Sequence, residues 1–152
     1  MITVRQASIE DLEIIKTFNK AIAFETEGKV ITEEIITRGV SELLLNPSKG
    51  IYYLAVSEGE ILGCLMVNFQ WVDYEAVYIT YIQSVYTKPE HRGKGVFKTL
   101  FNYAHQESRS KGVALRLYAD KTNTQALSVY RHLGMSDVPV NFYEIDFAYL
   151  PK

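Results

Sequence analysis

Cysteine occurs once in this sequence, at Cys64, which excludes an intrachain disulfide. No stretch approaches the roughly 20 apolar residues needed to span a bilayer. The opening residues Met1-Ile2-Thr3-Val4-Arg5-Gln6 lead to Glu10, Asp11 and Glu13, without the basic start and apolar run of a secretory leader. A cytoplasmic protein with no membrane association is expected. Charge of one sign is not in excess either. The formal net charge is -2 and the pI about 5.9, which argues against general nucleic-acid binding, where a basic surplus is the rule. Tryptophan occurs once, at Trp71, against 11 Tyr and 7 Phe. A phenol joins a flat apolar body to a polar tip, so each tyrosine either packs a sheet face or lines a ligand site.

What is there suffices for one domain over residues 1–152, because a chain of this length buries a core without staples. Periodicity divides it into elements. Thr3 to Ala7 reads as a strand. Ser8 stands three residues before Asp11, a capping box that opens a helix bearing Leu12, Ile15, Phe18 and Ile22 on one face, with Gly28 as its break. Thr32 with Glu33 and Glu34 opens a second helix, buried through Ile36, Val40, Leu43 and Leu44 and ended by Asn46-Pro47. Ile51–Val56 and Ile61–Phe69 flank a Glu58-Gly59 turn, Trp71–Ala76 reads as a loop, and Val77–Tyr86 is a long β-prone run. A helix starts near Gly95 and ends at Gly112. In the strand after it, Val113, Leu115 and Leu117 alternate with Ala114, Arg116 and Tyr118. Asn123 caps a last helix carrying Ala126, Leu127, Tyr130 and Leu133, with Gly134 as its stop, and Asn141–Phe147 reads as a final strand. Hairpin links make the central strands antiparallel, and a helical crossover makes the later one parallel. The fold class is α/β (α+β) with a mixed sheet.

The segment Gln83 to Phe97 runs from a strand through a glycine-rich loop into a helix. The first helical amides lack internal partners and the helix dipole places partial positive charge there, so the arrangement attracts an anion. Lys88, His91, Arg92, Lys94 and Lys98 add local positive charge. A solvated basic turn has the same composition. The two common phosphate motifs are excluded: Lys94 is followed by Gly95 rather than Ser or Thr, and Lys98 stands where a dinucleotide fingerprint needs a small residue.

Arg92-Gly93-Lys94-Gly95-Val96, after a strand and Pro89, resembles the pyrophosphate loop R-x-x-G-x-G/A of the GNAT family of N-acetyltransferases, with Phe97 at the final small position. Asn123 to Met135 resembles the same family's later helix, N-x-x-A-x-x-x-Y-x-x-x-G-[FM]. The element order agrees across nearly the whole chain. The resemblance implies an acyl-CoA N-acyltransferase fold with six to seven strands and flanking helices, acetyl-CoA as cofactor, and a small-molecule or peptide amine as acceptor.

The resemblance also implies roles. Backbone groups of Val85, Tyr86 and Thr87 pair with the pantetheine arm between two splayed strands, and an amide near Val85 holds the oxyanion. Amides of Arg92, Gly93, Lys94, Gly95, Val96 and Phe97 hold the pyrophosphate. Asn123 bonds the cofactor near the thioester, besides capping its helix. Tyr130 matches the general acid: its ordinary pKa near 10 suits protonation of a leaving thiolate, whose conjugate acid has a pKa of about 8.5. For the general base, Gln83 is chemically unsuited. Glu25, read as following the first helix, Glu75 or a water chain are the alternatives. Phe24, Trp71 and Gln83 are candidates to contact the acceptor. His91, His105 and His132 lack metal-ligand spacing, so no metal is expected. Cys64 reads as buried filler. A non-catalytic acyl-CoA-sensing module is the competing reading, set against the presence of Tyr130. Phe142, Tyr143, Ile145 and Phe147 could pair across a homodimer or complete the monomer's own sheet.

Overall fold

Five strands form one sheet in the order β1 (Thr3–Gln6), β2 (Ile51–Ser57), β3 (Glu60–Val72), β4 (Val77–Thr87) and β5 (Gly112–Leu117). The first four pair antiparallel through short connections, whereas β5 runs parallel to β4. That reversal is made by α3 (Val96–Lys111), which crosses over one face. The computed structural model describes residues 1–147, in two compact units that divide after Tyr118. The first holds the sheet together with α1 (Leu12–Glu27), α2 (Glu33–Leu45) and α3; the second holds α4 (Thr124–His132).

Local chemistry sets the helix ends. The Ser8 amide donates to Asp11 Oδ2 at 2.9 Å, and Arg5 forks onto the same carboxylate at 2.7 and 2.8 Å. This fork, against the opposing effect of burial, holds the Asp11 carboxyl below its ordinary range. Gly28 ends α1 in the left-handed region at φ 63°. The Thr32 hydroxyl accepts from the Ile35 amide at the start of α2.

Helices pack against both faces of the sheet. On one, Ile15 and Phe18 of α1 and Ile36 and Val40 of α2 pack with Tyr52, Leu54 and Cys64. On the other, α3 buries Val96, Leu100, Phe101 and Ala104, and Tyr103 meets Tyr53 of β2 edge-on at 5.1 Å. Burying a side chain such as Leu54 or Leu100 completely contributes about 1.5–3 kcal/mol.

Three expectations change. The helix α1 runs to Glu27, up to the expected break at Gly28, and so includes Glu25, which is expected after it. Strand β3 takes in Trp71, read as loop, because Trp71 finds a ladder partner in Tyr78. The sheet has five strands among the described residues instead of six to seven, and residues 141–147 form none of them. Their apolar spacing satisfies β propensity, but a strand exists only through a partner ladder, and none is formed there. Phe142, Tyr143, Ile145 and Phe147 are accordingly exposed. No helix among the described residues is long and apolar enough to cross a membrane.

Candidate active site

Strands β4 and β5 pair only from Tyr78 to Ile82, where Ile82 meets Leu117. Beyond that point β5 ends while β4 continues to Thr87, still paired on its other side with β3. The parting coincides with a bulge. Ser84 lies opposite Met66 and Ile82 opposite Val67, so Gln83 is the extra residue. From Gln83 to Thr87, β4 therefore has no β5 partner; with Lys88 and Tyr86 bonded towards β3, the outward-facing backbone groups are those of Val85 and Thr87, of which the Thr87 carbonyl is taken by Arg92 and the others are available to an extended ligand. Val85, Tyr86 and Thr87 all lie in this segment, with Val85 and Thr87 facing the open edge.

The same strand leads into the anion loop. A 3₁₀ turn over Pro89–His91 is followed by Gly93 at φ 74° and Gly95 at φ 83°, and α3 begins at Val96. Both glycines are left-handed, a conformation costly for other residues. Nothing lies within 4 Å of where their side chains would start, so the loop is open above its backbone. The amides of Val96 and Phe97 belong to the first turn of α3, which has no internal acceptors for them. Phe97 does not disturb this turn, since its ring packs along the helix on Phe101, 6.0 Å away. Lys94 is exposed beside the opening. An unpaired strand edge running into a glycine loop at a helix N-terminus fits a pantetheine arm followed by a pyrophosphate.

Arg92 braces this loop. Its Nη2 lies 2.7 Å from Glu25 Oε2, its Nε donates to the Thr87 carbonyl at 3.0 Å, and its guanidinium lies over the Tyr86 ring at 5.7 Å. The Tyr86 ring in turn meets Phe18 of α1 at 5.0 Å. Burial, reinforced by the Glu25 charge, raises the Tyr86 phenol above its ordinary value. Glu25 is thus joined to the loop and to the end of β4 at once.

The acceptor candidates divide between faces. Gln83 is exposed at the bulge, and its Oε1 accepts from Asn68 Nδ2 at 3.2 Å. Asn68 lies two residues from Met66, on the face that packs α1 and α2. Trp71, three residues further, points to the α3 face and meets Tyr78 at 4.9 Å. Phe24 is exposed in the last turns of α1.

In the second unit, Asn123 Oδ1 accepts from the Ala126 amide at 3.1 Å, the helix cap expected of it. The far end of α4 closes through the Met135 amide on the Tyr130 carbonyl and the Gly134 amide on the Arg131 carbonyl, with Gly134 at φ 89°. This double closure gives the G-[FM] ending a physical cause. Burial raises the Tyr130 phenol above its ordinary value.

Two other groups have structural roles. Glu60, Glu90 and His91 bring metal-ligand atoms within 4.8 Å of one another, but Lys88 Nζ sits 2.7 Å from Glu60 Oε1 and supplies the compensating charge. Cys64 is fully buried, and desolvation pushes its thiol up to about 12, which leaves it unreactive at neutral pH. Sequence reasoning missed the bulge at Gln83, the brace from Glu25 to Arg92, and a cluster formed by Tyr81, Arg116 and Tyr118. The polar pair Gln83-Ser84 inside an apolar run was the one available signal for the first.

The model of the acetyltransferase (GNAT) family matches residues 13–135. A possible acetyltransferase from Clostridium difficile 630 has a crystal structure with TM-score 0.90 and 36% identity, covering 96% of this chain and 97% of that one. Mycothiol acetyltransferase of Mycolicibacterium gilvum (strain PYR-GCK) is 30% identical over 137 residues, 85% of this chain and 43% of that protein. Aminoalkylphosphonate N-acetyltransferase of Salmonella typhimurium (strain LT2) is 27% identical over 112 residues, 74% of this chain and 70% of that protein. The chain therefore spans less than half the length of the mycothiol enzyme. It belongs to the acetyltransferase (GNAT) family.

Proposed function

We propose that this protein transfers the acetyl group of acetyl-CoA directly to a primary amine of a small molecule or peptide, with both substrates bound at once. The observation that carries this reading is the parting of β4 from β5 at Gln83, followed by a glycine loop at the N-terminus of α3. Bound acetyl-CoA supplies the acyl donor as a thioester. The free edge from Val85 to Thr87 binds and orients its arm, and the amides from Gly93 to Phe97 hold its phosphates, each favourable charge–dipole contact contributing about 0.3–1 kcal/mol, while the Arg92 amide, expected to join them, is bonded to the Pro89 carbonyl. Asn123 is assigned to the thioester end of the same ligand.

Tyr130 is assigned as the acid. As the amine nitrogen bonds the acetyl carbon and the carbon–sulfur bond breaks, its phenol gives a proton to the departing sulfur. The phenol is protonated at neutral pH, as a proton donor must be, and burial raises it further. Glu25 is read as a brace, since its carboxylate is spent on Arg92; the proton leaving the amine is assigned to water. Gln83 and Phe24 remain the acceptor contacts, with Trp71 turned to the other face. The family match crosses from one compact unit into the other, which supports reading 1–152 as one catalytic domain. A cytoplasmic location is part of the same reading and agrees with a lone reduced cysteine.

Calorimetric titration with acetyl-CoA, with Arg92→Glu and Gly95→Pro alongside, tests the assignment. Saturable binding by the parent and its loss in both variants is expected, because proline fixes φ near −65° where Gly95 needs 83°. A folded parent that does not bind acetyl-CoA would refute it.

A further inference from the structure

On the face of the sheet that packs α1 and α2, beside the bulge, three side chains converge. Arg116 of β5 is the register partner of Tyr81 of β4, and Arg116 Nη1 donates to the Tyr81 hydroxyl at 3.3 Å. The Tyr118 ring stacks on Tyr81, centroids 5.3 Å apart and planes 16° from parallel. Asn68, opposite Tyr81 on β3, reaches Gln83 two residues further along β4. The patch is open to solvent on one side, where Tyr118 is 53% exposed and Gln83 exposed.

The charge of Arg116 is not balanced. Among the described residues no carboxylate pairs with it. Arg38, Lys94, Lys98, Arg109 and Lys121 also have no carboxylate partner, but all five are exposed to water, whereas Arg116 is half-buried. A partly desolvated cation without a counter-ion is disfavoured, and a bound anion would relieve it. A guanidinium presents a planar fork of N–H donors that matches a carboxylate or phosphonate, and the Tyr81 hydroxyl, which accepts from Arg116, keeps its own O–H to donate, with the Tyr118 ring as a wall beside it.

We propose that Arg116, with Tyr81 and Tyr118, anchors the acceptor, and that the acceptor is a small primary amine carrying an anionic group, a carboxylate or phosphonate. The amine would then lie toward Gln83, where the strands part. This proposal rests on the acetyltransferase reading and narrows it to one substrate class, excluding polycationic amines.

The test combines two readouts on the same sample. Ring-labelled tyrosine signals are followed by NMR, in the presence of coenzyme A, during addition of 2-aminoethylphosphonate, β-alanine, or propylamine, and thiol release from acetyl-CoA is measured with each. The two acid-bearing amines should shift Tyr81 and Tyr118 and exceed propylamine in kcat/KM by about tenfold or more, and Arg116→Gln should abolish the preference while leaving acetyl-CoA affinity unchanged. Equal use of propylamine, or no shift of either tyrosine by either acid-bearing amine in a sample that binds acetyl-CoA, would overturn it. Absence of acetyl-CoA binding by the parent would instead remove the acetyltransferase reading, and the proposal with it.

Discussion

Glu25 Oε2 lies 2.7 Å from Arg92 Nη2, and that guanidinium also takes up the Thr87 carbonyl, so the last turns of α1 are tied to the end of β4 and to the loop before α3. Both partners are partly exposed, at 42% and 48% of the side chain, so the pair contributes at most about 1 kcal/mol. Glu25→Gln should therefore weaken acetyl-CoA binding by no more than about fivefold and leave the pH profile of kcat in place. A fall in kcat of two or more orders, with binding retained, would make Glu25 the base instead. Steady-state kinetics with calorimetry separates these outcomes.

Gly63 has a different constraint. A Cβ there would overlap the Tyr86 carbonyl oxygen, a backbone atom that cannot swing away. Gly63→Ala must push β3 from β4 at the level of Thr87, its register partner. The expected destabilisation is about 1–3 kcal/mol, as for other overpacked sites, with weaker acetyl-CoA binding because the edge from Val85 to Thr87 moves. Chemical denaturation measures the first and titration the second.

Gly95 is limited by conformation alone, for the space around it is open. Gly95→Ala should cost about 1–2 kcal/mol through the left-handed φ, and Gly95→Asn less. A melting temperature unchanged in the alanine variant would contradict the positive φ at the start of α3.

Tyr130→Phe tests the acid. Loss of general acid catalysis reduces kcat by about 10²–10⁴-fold, with acetyl-CoA affinity preserved. In the parent, the raised phenol keeps its proton, so the alkaline fall in kcat should lie above tyrosine's ordinary value of 10.0. Turnover by the phenylalanine variant equal to the parent would remove Tyr130 from the chemistry and return the sensing module to consideration.

Stability should fall at both ends of the pH range. Lys16 and Lys20 close on Glu33 and hold its carboxyl at about 2, against an ordinary 4.5. A depressed folded value means that this contribution is present above 4.5 and lost as pH falls toward 2. At the other end, burial pushes the phenols of Tyr52 and Tyr53 and the Cys64 thiol up to about 12. Raised folded values mean stability that is complete below the ordinary values of 9.0 and 10.0 and lost as pH rises through them toward 12. Thermal melts across pH, with Cys64→Ala reducing the alkaline loss, check both signs.

Much of this was legible along the chain because it is written locally. Helical spacing in α1, α2, α3 and α4, the caps at Ser8, Thr32 and Asn123, and the glycine loop each depend on residues a few positions apart. The sequence did not show that Glu25 reaches Arg92, 67 residues away, or that Tyr81 meets Arg116, because such pairs are set by strand register. The bulge escaped notice for a related reason: an extra residue is defined against a partner strand, and Gln83 looks ordinary alone. The final strand was over-read, since β propensity in Phe142 to Phe147 says nothing of whether a ladder partner is present.

The free edge of β4 has a meaning for handling as well. A row of unsatisfied backbone groups is a template for any extended chain, including the edge of a neighbouring molecule. A ligand lying along Val85 to Thr87 occupies that template and, by mass action, also favours the folded state. Under the proposed function, preparations stripped of nucleotide are therefore the ones in which strand-to-strand self-association should begin, and added coenzyme A should suppress it.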